Sequence, residues 1–144
     1  MNNLISVVVT CYNHEKYIEQ CLRSVFNQTY TNIELIVLDD GSTDSSTQII
    51  QEVLKDSPFE TRFETHENLG VVNNRNLGLE LIRGDYLLFV DSDNYLDADY
   101  VEQLYSKLTE TNADIVYCDL FNPEKEEFYL KSRGFDLTAF LNAS

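Results

Sequence analysis

The chain has 144 residues, of which 43% are hydrophobic and 24% charged; this is a globular composition, long enough for one domain with a single core, and no apolar run approaches the ~18 residues a membrane-spanning helix needs. Ten lysines and arginines stand against 25 aspartates and glutamates, and the formal net charge of −15 argues against nucleic-acid binding, which depends on basic side chains neutralising phosphates. Met1-Asn2-Asn3 leads into an apolar run without a basic leader, and Cys11, Cys21 and Cys118 are odd in number and lack metal-ligand spacing, so a soluble, cytoplasmic protein with reduced packing thiols is expected.

Strand-like and helix-like segments alternate in chain order. Residues 4–10 form a first buried strand, after which Asn13 is expected to cap a helix with the apolar stripe Tyr17, Ile18, Cys21, Leu22, Val25 and Phe26. Residues 33–39 form a second strand. Gly41-Ser42-Thr43-Asp44 then supplies a turn and a cap for a helix carrying Ile49, Ile50, Val53 and Leu54. A weaker third strand over 59–65 is followed by the turn Asn68-Leu69-Gly70, a helix through Arg75, Leu77, Leu81 and Ile82, and a return at Gly84-Asp85. The fourth strand begins at Tyr86 and runs out into Asp91-Ser92-Asp93, and Asp97 is expected to cap a helix that buries Val101, Leu104, Tyr105 and Leu108. A fifth strand over 114–120, a short strand over 128–131 and a helix start near Asp136 complete the expectation. The alternation is the pattern of βαβ units around a mostly parallel sheet.

Two of the strands end in acids, Asp39-Asp40 before Gly41 and Asp91 and Asp93 around Ser92. The carboxyl ends of parallel strands open into the ligand crevice of such a fold, so a shared site for a hard cation and phosphate is expected there. A phosphate site in so acidic a protein must bring its own positive charge, from a metal, a helix N-terminus or an arginine, and Arg75 and Arg83 are the nearby candidates. Plainer roles exist for each residue. Asp91 and Asp93 would serve in a solvated turn with a helix cap, Asp39 and Asp40 in a turn before Gly41, Tyr12 as a packing or surface aromatic and Arg75 as a helix-surface cation. His14 and His66 have no partner spacing, and structural or exposed positions are expected for them.

The segments Ser6-Val7-Val8-Val9-Thr10-Cys11-Tyr12-Asn13, Gln28-Thr29-Tyr30, Leu38-Asp39-Asp40-Gly41-Ser42-Thr43-Asp44, Asn68-Leu69-Gly70, Arg75-Asn76-Leu77-Gly78, Gly84-Asp85-Tyr86 and Asp91-Ser92-Asp93 resemble, in order and spacing, the motifs of family 2 glycosyltransferases with the GT-A fold. The resemblance covers the chain to about Asn94. It implies a Rossmann-like three-layer α/β/α sandwich with a mostly parallel central sheet, and inverting transfer of a sugar from a nucleotide-diphosphate donor, commonly a UDP-sugar, to a hydroxyl of a saccharide or lipid-linked acceptor, assisted by Mn²⁺ or Mg²⁺. By the same resemblance Asp93 is the metal ligand and Asp91 the second, facing the donor's ribose or sugar hydroxyls and reaching the cation through water. Asp40 accepts a hydrogen bond from the ring N–H of the base, Asp39 orients that loop, and Thr10 and Tyr12 surround the base, where a stacked ring is worth roughly 1 to 3 kcal/mol in comparable contacts. Arg75 faces the diphosphate, and Ser92 is counted with the donor-binding residues. Uracil, thymine and guanine all remain open as the base, since each offers a ring N–H to a carboxylate.

Family catalytic domains are longer than this chain, and their acceptor half supplies the acid that takes the proton from the attacking hydroxyl. Asp119 and Asp136 stand too close in sequence to Asp93 to match it. Residues 1–144 are therefore expected to form a single nucleotide-sugar-binding domain, truncated before the acceptor-binding and catalytic-base region, with any membrane association coming from parts absent here. Phe89-Val90-Asp91-Ser92-Asp93 also resembles the nucleophile strand of haloacid-dehalogenase phosphatases, although the motif follows three βα units and no later lysine with an acidic pair is evident. A noncatalytic nucleotide- or partner-binding module is the remaining alternative.

Overall fold

The computed structural model describes residues 3–118 and two short strands at 121–122 and 127–128. The chain divides into two compact units, Met1–Glu102 and Gln103–Ser144. The first contains β1 (Ile5–Cys11), α1 (Ile18–Phe26), β2 (Ile33–Asp39), α2 (Ser46–Val53) with a short 3₁₀ turn after it, β3 (Glu60–Thr65), α3 (Val71–Leu81), β4 (Tyr86–Asp91) and the start of α4 (Tyr100–Thr111). The second contains the rest of α4 and an antiparallel pair, β5 (Phe121–Asn122) and β6 (Glu127–Phe128). No described helix is long and apolar enough to cross a membrane.

The first unit holds a parallel sheet of order β3-β2-β1-β4. Every residue of β1 and β2 is buried, which explains why both read as continuous apolar runs, whereas β3 shows the broken burial of an edge strand. Val8, Ile36 and Leu38 form one face of the core and pack against Leu77, Leu81, Ile82, Leu87 and Phe89. The alternate side chains Val7, Val9, Leu35 and Val37 point to the other face and are fully buried too. α1 and α2 supply Ile18, Cys21, Leu22, Val25, Ile50 and Val53 to the interior. The result is the three-layer α/β/α sandwich expected. From β1 the chain winds outward through β2 to β3 and then crosses back to β4 on the other side of β1, so the switch point of the topology lies between β1 and β4. Register places Thr10 beside Asp91 and Cys11 beside Asp39 at the carboxyl edge.

Several local expectations are corrected. Asn13 does not cap α1: it sits in the left-handed region at φ 55° and its Oδ1 accepts from the Thr43 N–H at 2.7 Å, so it ties the β1 loop to the β2–α2 loop. The His14 carbonyl starts α1 instead, accepting from the N–H groups of Tyr17 and Ile18, and Tyr17 is half exposed at the helix edge. At α4 the Asp97 side chain is not the clamp. Buried Gln28 accepts from the Val101 N–H at 2.9 Å and donates to the Asp97 carbonyl at 2.7 Å, while Thr29 binds Ala98 through its N–H and Glu102 through its hydroxyl. The Gln28-Thr29-Tyr30 motif thus works as a cap supplied from another helix's end. The described part of the predicted fifth strand, 114–118, forms no ladder among the described residues, and strand pairing there begins at Phe121. Of the expected strand over 128–131 only Phe128 is described, and it lies in β6; residues 129–131, Asp119, Asp136 and the helix start near the latter lie outside the described residues.

At the opposite, amino edge of the sheet Glu34 is buried and fully engaged. Its carboxylate accepts from Ser6 Oγ (2.5 Å), the N–H groups of Arg83 (2.6 Å) and Gly84 (3.1 Å), and Arg83 Nε (2.8 Å). Arg83 also pairs with Glu60, so it staples β2 to β3 and is remote from the acidic strand ends, not the phosphate-facing cation considered above. Burial by itself would raise the Glu34 carboxyl, but the Ser6 and Arg83 hydrogen bonds outweigh it and hold the group below its ordinary value of 4.5. A depressed acid contributes stability that is complete above the unfolded value and is lost as pH falls through the lower native one. Urea midpoints measured from about pH 6 downward should therefore fall for the parent below about pH 4.5, and Glu34→Gln should be less stable at neutral pH with a shallower acid limb. An unchanged acid limb in the variant would contradict this assignment.

Candidate functional site

A cleft of about 460 Å³ opens at the carboxyl edge of the sheet, lined by Thr10, Cys11, Tyr12 and His14 from the end of β1, Asp40 after β2, Asn68 and Gly70 before α3, Val71, Asn74 and Arg75 on α3, and Asp91 and Asp93 at the end of β4. Residues 40 and 93, 53 positions apart, share one pocket. Of the residues singled out from the sequence, Thr10, Tyr12, Asp40, Arg75, Asp91 and Asp93 are brought together. Asp39 and Ser92 are not in the lining.

Asp39 is buried under the loop. Its Oδ1 accepts from Ser42 Oγ, and its Oδ2 from Thr47 Oγ1 at 2.8 Å and Thr65 Oγ1 at 3.0 Å, which ties together the carboxyl ends of β2 and β3. With three hydroxyls on it, this carboxylate orients the loop and leaves the cleft to its neighbour. Asp40 accepts from the N–H groups of Leu69 (2.7 Å) and Gly70 (3.0 Å), so one carboxylate sets the entry to α3. Gly41 at φ +74° allows the contact: a Cβ there would lie 2.8 Å from the Asn68 nitrogen and 3.0 Å from the His66 carbonyl oxygen, in a conformation side chains rarely adopt.

Ser92 is fully buried and pins the Asp91-Ser92-Asp93 turn from below, its N–H donating to the Thr10 carbonyl and its hydroxyl lying 2.6 Å from His14 Nδ1. The His14 N–H in turn donates to Ser46 Oγ. Both histidines therefore have partners that sequence spacing did not reveal: His14 and Ser92 are 78 positions apart, and His66 lies 3.6 Å from Asp40 and 3.1 Å from Asn74. Asn74, buried on α3, had no sequence signal of its own.

Asp91 is paired with Arg75 Nη2 at 2.8 Å and lies 3.3 Å from the Thr10 hydroxyl. The guanidinium sits 5.7 Å from the Phe89 ring centroid, and its buried Nε–H has no acceptor among the described residues, so the protein does not use up its hydrogen-bonding capacity. Asp93 is exposed to the cleft without a hydrogen-bond partner among the described residues. The negative field of this turn reaches α1. Burial first, then Cys11, Asp93 and Asp91, push the Cys21 thiol up to about 12, and burial raises Cys11 as well; both residues are buried.

No group of three His, Cys, Asp or Glu side chains among the described residues could hold a metal by itself. What the cleft offers is one unpaired carboxylate, Asp93, next to a second, Asp91. That donor set fits Mg²⁺ or a similar hard cation bound with substrate phosphates, which typically takes one or two carboxylates and completes its shell from phosphate oxygens and water.

A three-layer sandwich with a topological switch point, a carboxylate at the end of β2 and an Asp-Ser-Asp turn at the end of β4 is the GT-A form of the Rossmann-like α/β fold. The chain belongs to glycosyl transferase family 2, whose sequence model matches residues 6–140. It is 40% identical over 136 residues to the glycosyltransferase GlyA of Streptococcus pneumoniae serotype 4, covering 93% of this chain and 19% of that protein. It is 35% identical over 139 residues to GlyG of the same organism, covering 94% and 46%. Among solved structures, S. aureus TarS 1-349 in complex with UDP-GlcNAc superimposes with a TM-score of 0.69 at 32% identity, over 77% of this chain and 32% of that one. The chain thus spans less than half the length of these relatives. The phosphatase resemblance finds no such support, and the strand bearing Asp91 is the fourth in the chain, outermost on its side of the described sheet.

Proposed function

We propose that the cleft binds a nucleotide-diphosphate sugar, with a UDP-sugar as the donor, together with Mn²⁺ or Mg²⁺, and that it is the donor-binding part of an inverting glycosyltransferase acting on a hydroxyl of a saccharide or lipid-linked acceptor. The observation that carries this reading is the convergence of Tyr12, Asp40, Arg75, Asp91 and Asp93 on one pocket. The likeness to TarS, solved with UDP-GlcNAc, supports it.

Tyr12, half exposed at the cleft, offers a face for the base to stack on. Asp40 keeps lone pairs beyond the two N–H groups it already accepts, enough for a ring N–H of the base. Asp91 and Asp93 hold the cation against the diphosphate, and Arg75, anchored on Asp91, adds the positive charge that an acidic cleft needs beside phosphate. When bound, the cation acts as a Lewis acid that stabilises the charge growing on the departing nucleoside diphosphate. The three acids lining the cleft all serve the donor in this scheme. The base that takes the acceptor's proton is assigned to the acceptor-binding part of the longer family members.

Calorimetry tests the reading directly. UDP titrated into the protein with Mn²⁺ present should bind at micromolar to low-millimolar concentration, and chelation of the metal should weaken it. A folded protein with no metal-dependent affinity for UDP at millimolar concentration would overturn the proposal. Phosphate release from p-nitrophenyl phosphate would favour the phosphatase instead.

A further inference from the structure

Arg75 is held differently from its counterparts elsewhere in the chain. Arg23, Arg62 and Arg83 each aim Nε–H at a carboxylate oxygen, of Glu19, Glu64 and Glu34 respectively, at 2.8 Å. Arg75 reaches Asp91 through Nη2 alone, and its Nε–H, although buried, has no acceptor among the described residues. A buried donor left in this way costs free energy, and a guanidinium that gave two prongs of its fork to one carboxylate would be held more firmly. The hold is partial on the other side too: Arg75 and Thr10 both meet Asp91 Oδ1, and Oδ2 has no partner among the described residues. The Arg75 side chain is 41% exposed and lines the cleft, so a change of partner need not open the core.

Resting on the nucleotide reading above, we infer that Arg75 and the divalent cation compete for Asp91, and that cation binding hands the guanidinium over to the diphosphate of the donor. While Arg75 balances Asp91, a divalent ion entering beside the pair meets a like charge. Once the cation sits on Asp91 and Asp93, its two positive charges match their two negative ones, and the turn no longer attracts the guanidinium. The diphosphate is then the strongest anion within reach. There Arg75 can donate to phosphate oxygens from two N–H groups, Nε–H among them, which satisfies the donor that Asp91 leaves unpaired. The exchange makes metal and nucleotide binding cooperative beyond the direct contact of cation with phosphate, and the cooperativity acts equally in both directions.

Calorimetry on the full chain tests this with three titrations per protein: Mn²⁺ alone, UDP in chelator, and UDP at saturating Mn²⁺. Arg75→Gln removes the charge and is expected to tighten Mn²⁺ alone about fivefold, the order set by one unit charge a few Å away in water. The factor by which Mn²⁺ tightens UDP should fall about tenfold in the same variant, the order of one hydrogen bond between charged partners. The two effects have opposite signs, whereas a merely structural role would weaken every titration together. Arg75→Met should repeat both results and carries the test if the glutamine variant does not fold. Arg75→Lys keeps the charge and should leave Mn²⁺ alone within about twofold of the parent. Mn²⁺ alone unchanged or weaker in the uncharged variants would overturn the inference, and so would a lysine variant that tightens Mn²⁺ as much as glutamine does. Metal-dependent UDP binding whose coupling factor is the same in parent and variants would mean that Arg75 stays on Asp91 throughout; that result overturns the inference and leaves the proposed function standing. Absence of UDP binding in the parent would overturn both.

Discussion

Replacing Asp93 by asparagine is expected to remove the manganese-dependent part of UDP binding without disturbing the fold. The side chain is exposed and makes no hydrogen bond among the described residues, so its loss should stay within the ±0.5 kcal/mol or so typical of surface substitutions. The consequence for a cation is much larger. Losing an outer-shell partner costs 10- to 100-fold in affinity, so removing the main direct ligand should cost about hundredfold or more in UDP affinity at fixed Mn²⁺. In chelator the sign should reverse. Asp40, Asp91 and Asp93 all repel phosphate, and two unit charges about 4 Å apart interact by ~1 kcal/mol even in water, so the asparagine variant should bind metal-free UDP slightly more tightly than the parent. Asp91→Asn is a different case, because it also releases Arg75, which is paired at 2.8 Å and would be free to meet phosphate directly. The Asp91 variant should therefore keep more affinity than the Asp93 variant. Titrations of the three proteins with and without Mn²⁺ check this, and metal-dependent UDP binding retained in Asp93→Asn would place the cation elsewhere.

The residues that could be assigned from the sequence are those whose role is written in their neighbours along the chain. An apolar run of strand length ending in acids is legible because burial on both faces and the open carboxyl edge are consequences of a parallel sheet; the placement of Asp40, Asp91 and Asp93 at the cleft is legible that way. What separates Asp39 from Asp40 is not local. Adjacent residues leaving a strand point in opposite directions, and only the fold shows that Ser42, Thr47 and Thr65 surround one while the cleft receives the other. The same holds for Ser92, His14, His66 and Asn74, whose partners come from other strands or from the far side of a loop, and for Gln28, a polar residue that is buried only because the start of α4 needs a cap. Asn13 shows the opposite failure. Its propensity as a helix cap is real, but three residues of turn precede α1, and its amide oxygen accepts instead from the Thr43 N–H in a different loop.

The second large effect is expected far from the cleft, at Gly84, where alanine should destabilise the protein by roughly 3 kcal/mol, the upper end of what overpacking costs. The chain enters β4 here against the start of β1. A Cβ at Gly84 would lie 2.6 Å from Ser6 Oγ, 2.7 Å from the Ser6 nitrogen and 2.8 Å from the Leu4 carbonyl oxygen. Two of these three atoms are backbone, in a segment where Leu4 also accepts from the Asp85 N–H at 2.8 Å, so no rotamer change relieves the contact. The strand would have to move. That movement would also pull the Gly84 N–H away from Ser6 Oγ and Glu34, leaving a buried carboxylate short of a donor it needs. Urea denaturation of Gly84→Ala, of Ser6→Ala and of the double variant separates the causes. If the backbone contacts dominate, trimming Ser6 does not recover the loss and the double variant is the least stable of the set. Recovery in the double variant would mean instead that the serine hydroxyl alone sets the limit, and that the Leu4–Ser6 backbone gives way more easily than a central strand paired on both sides should.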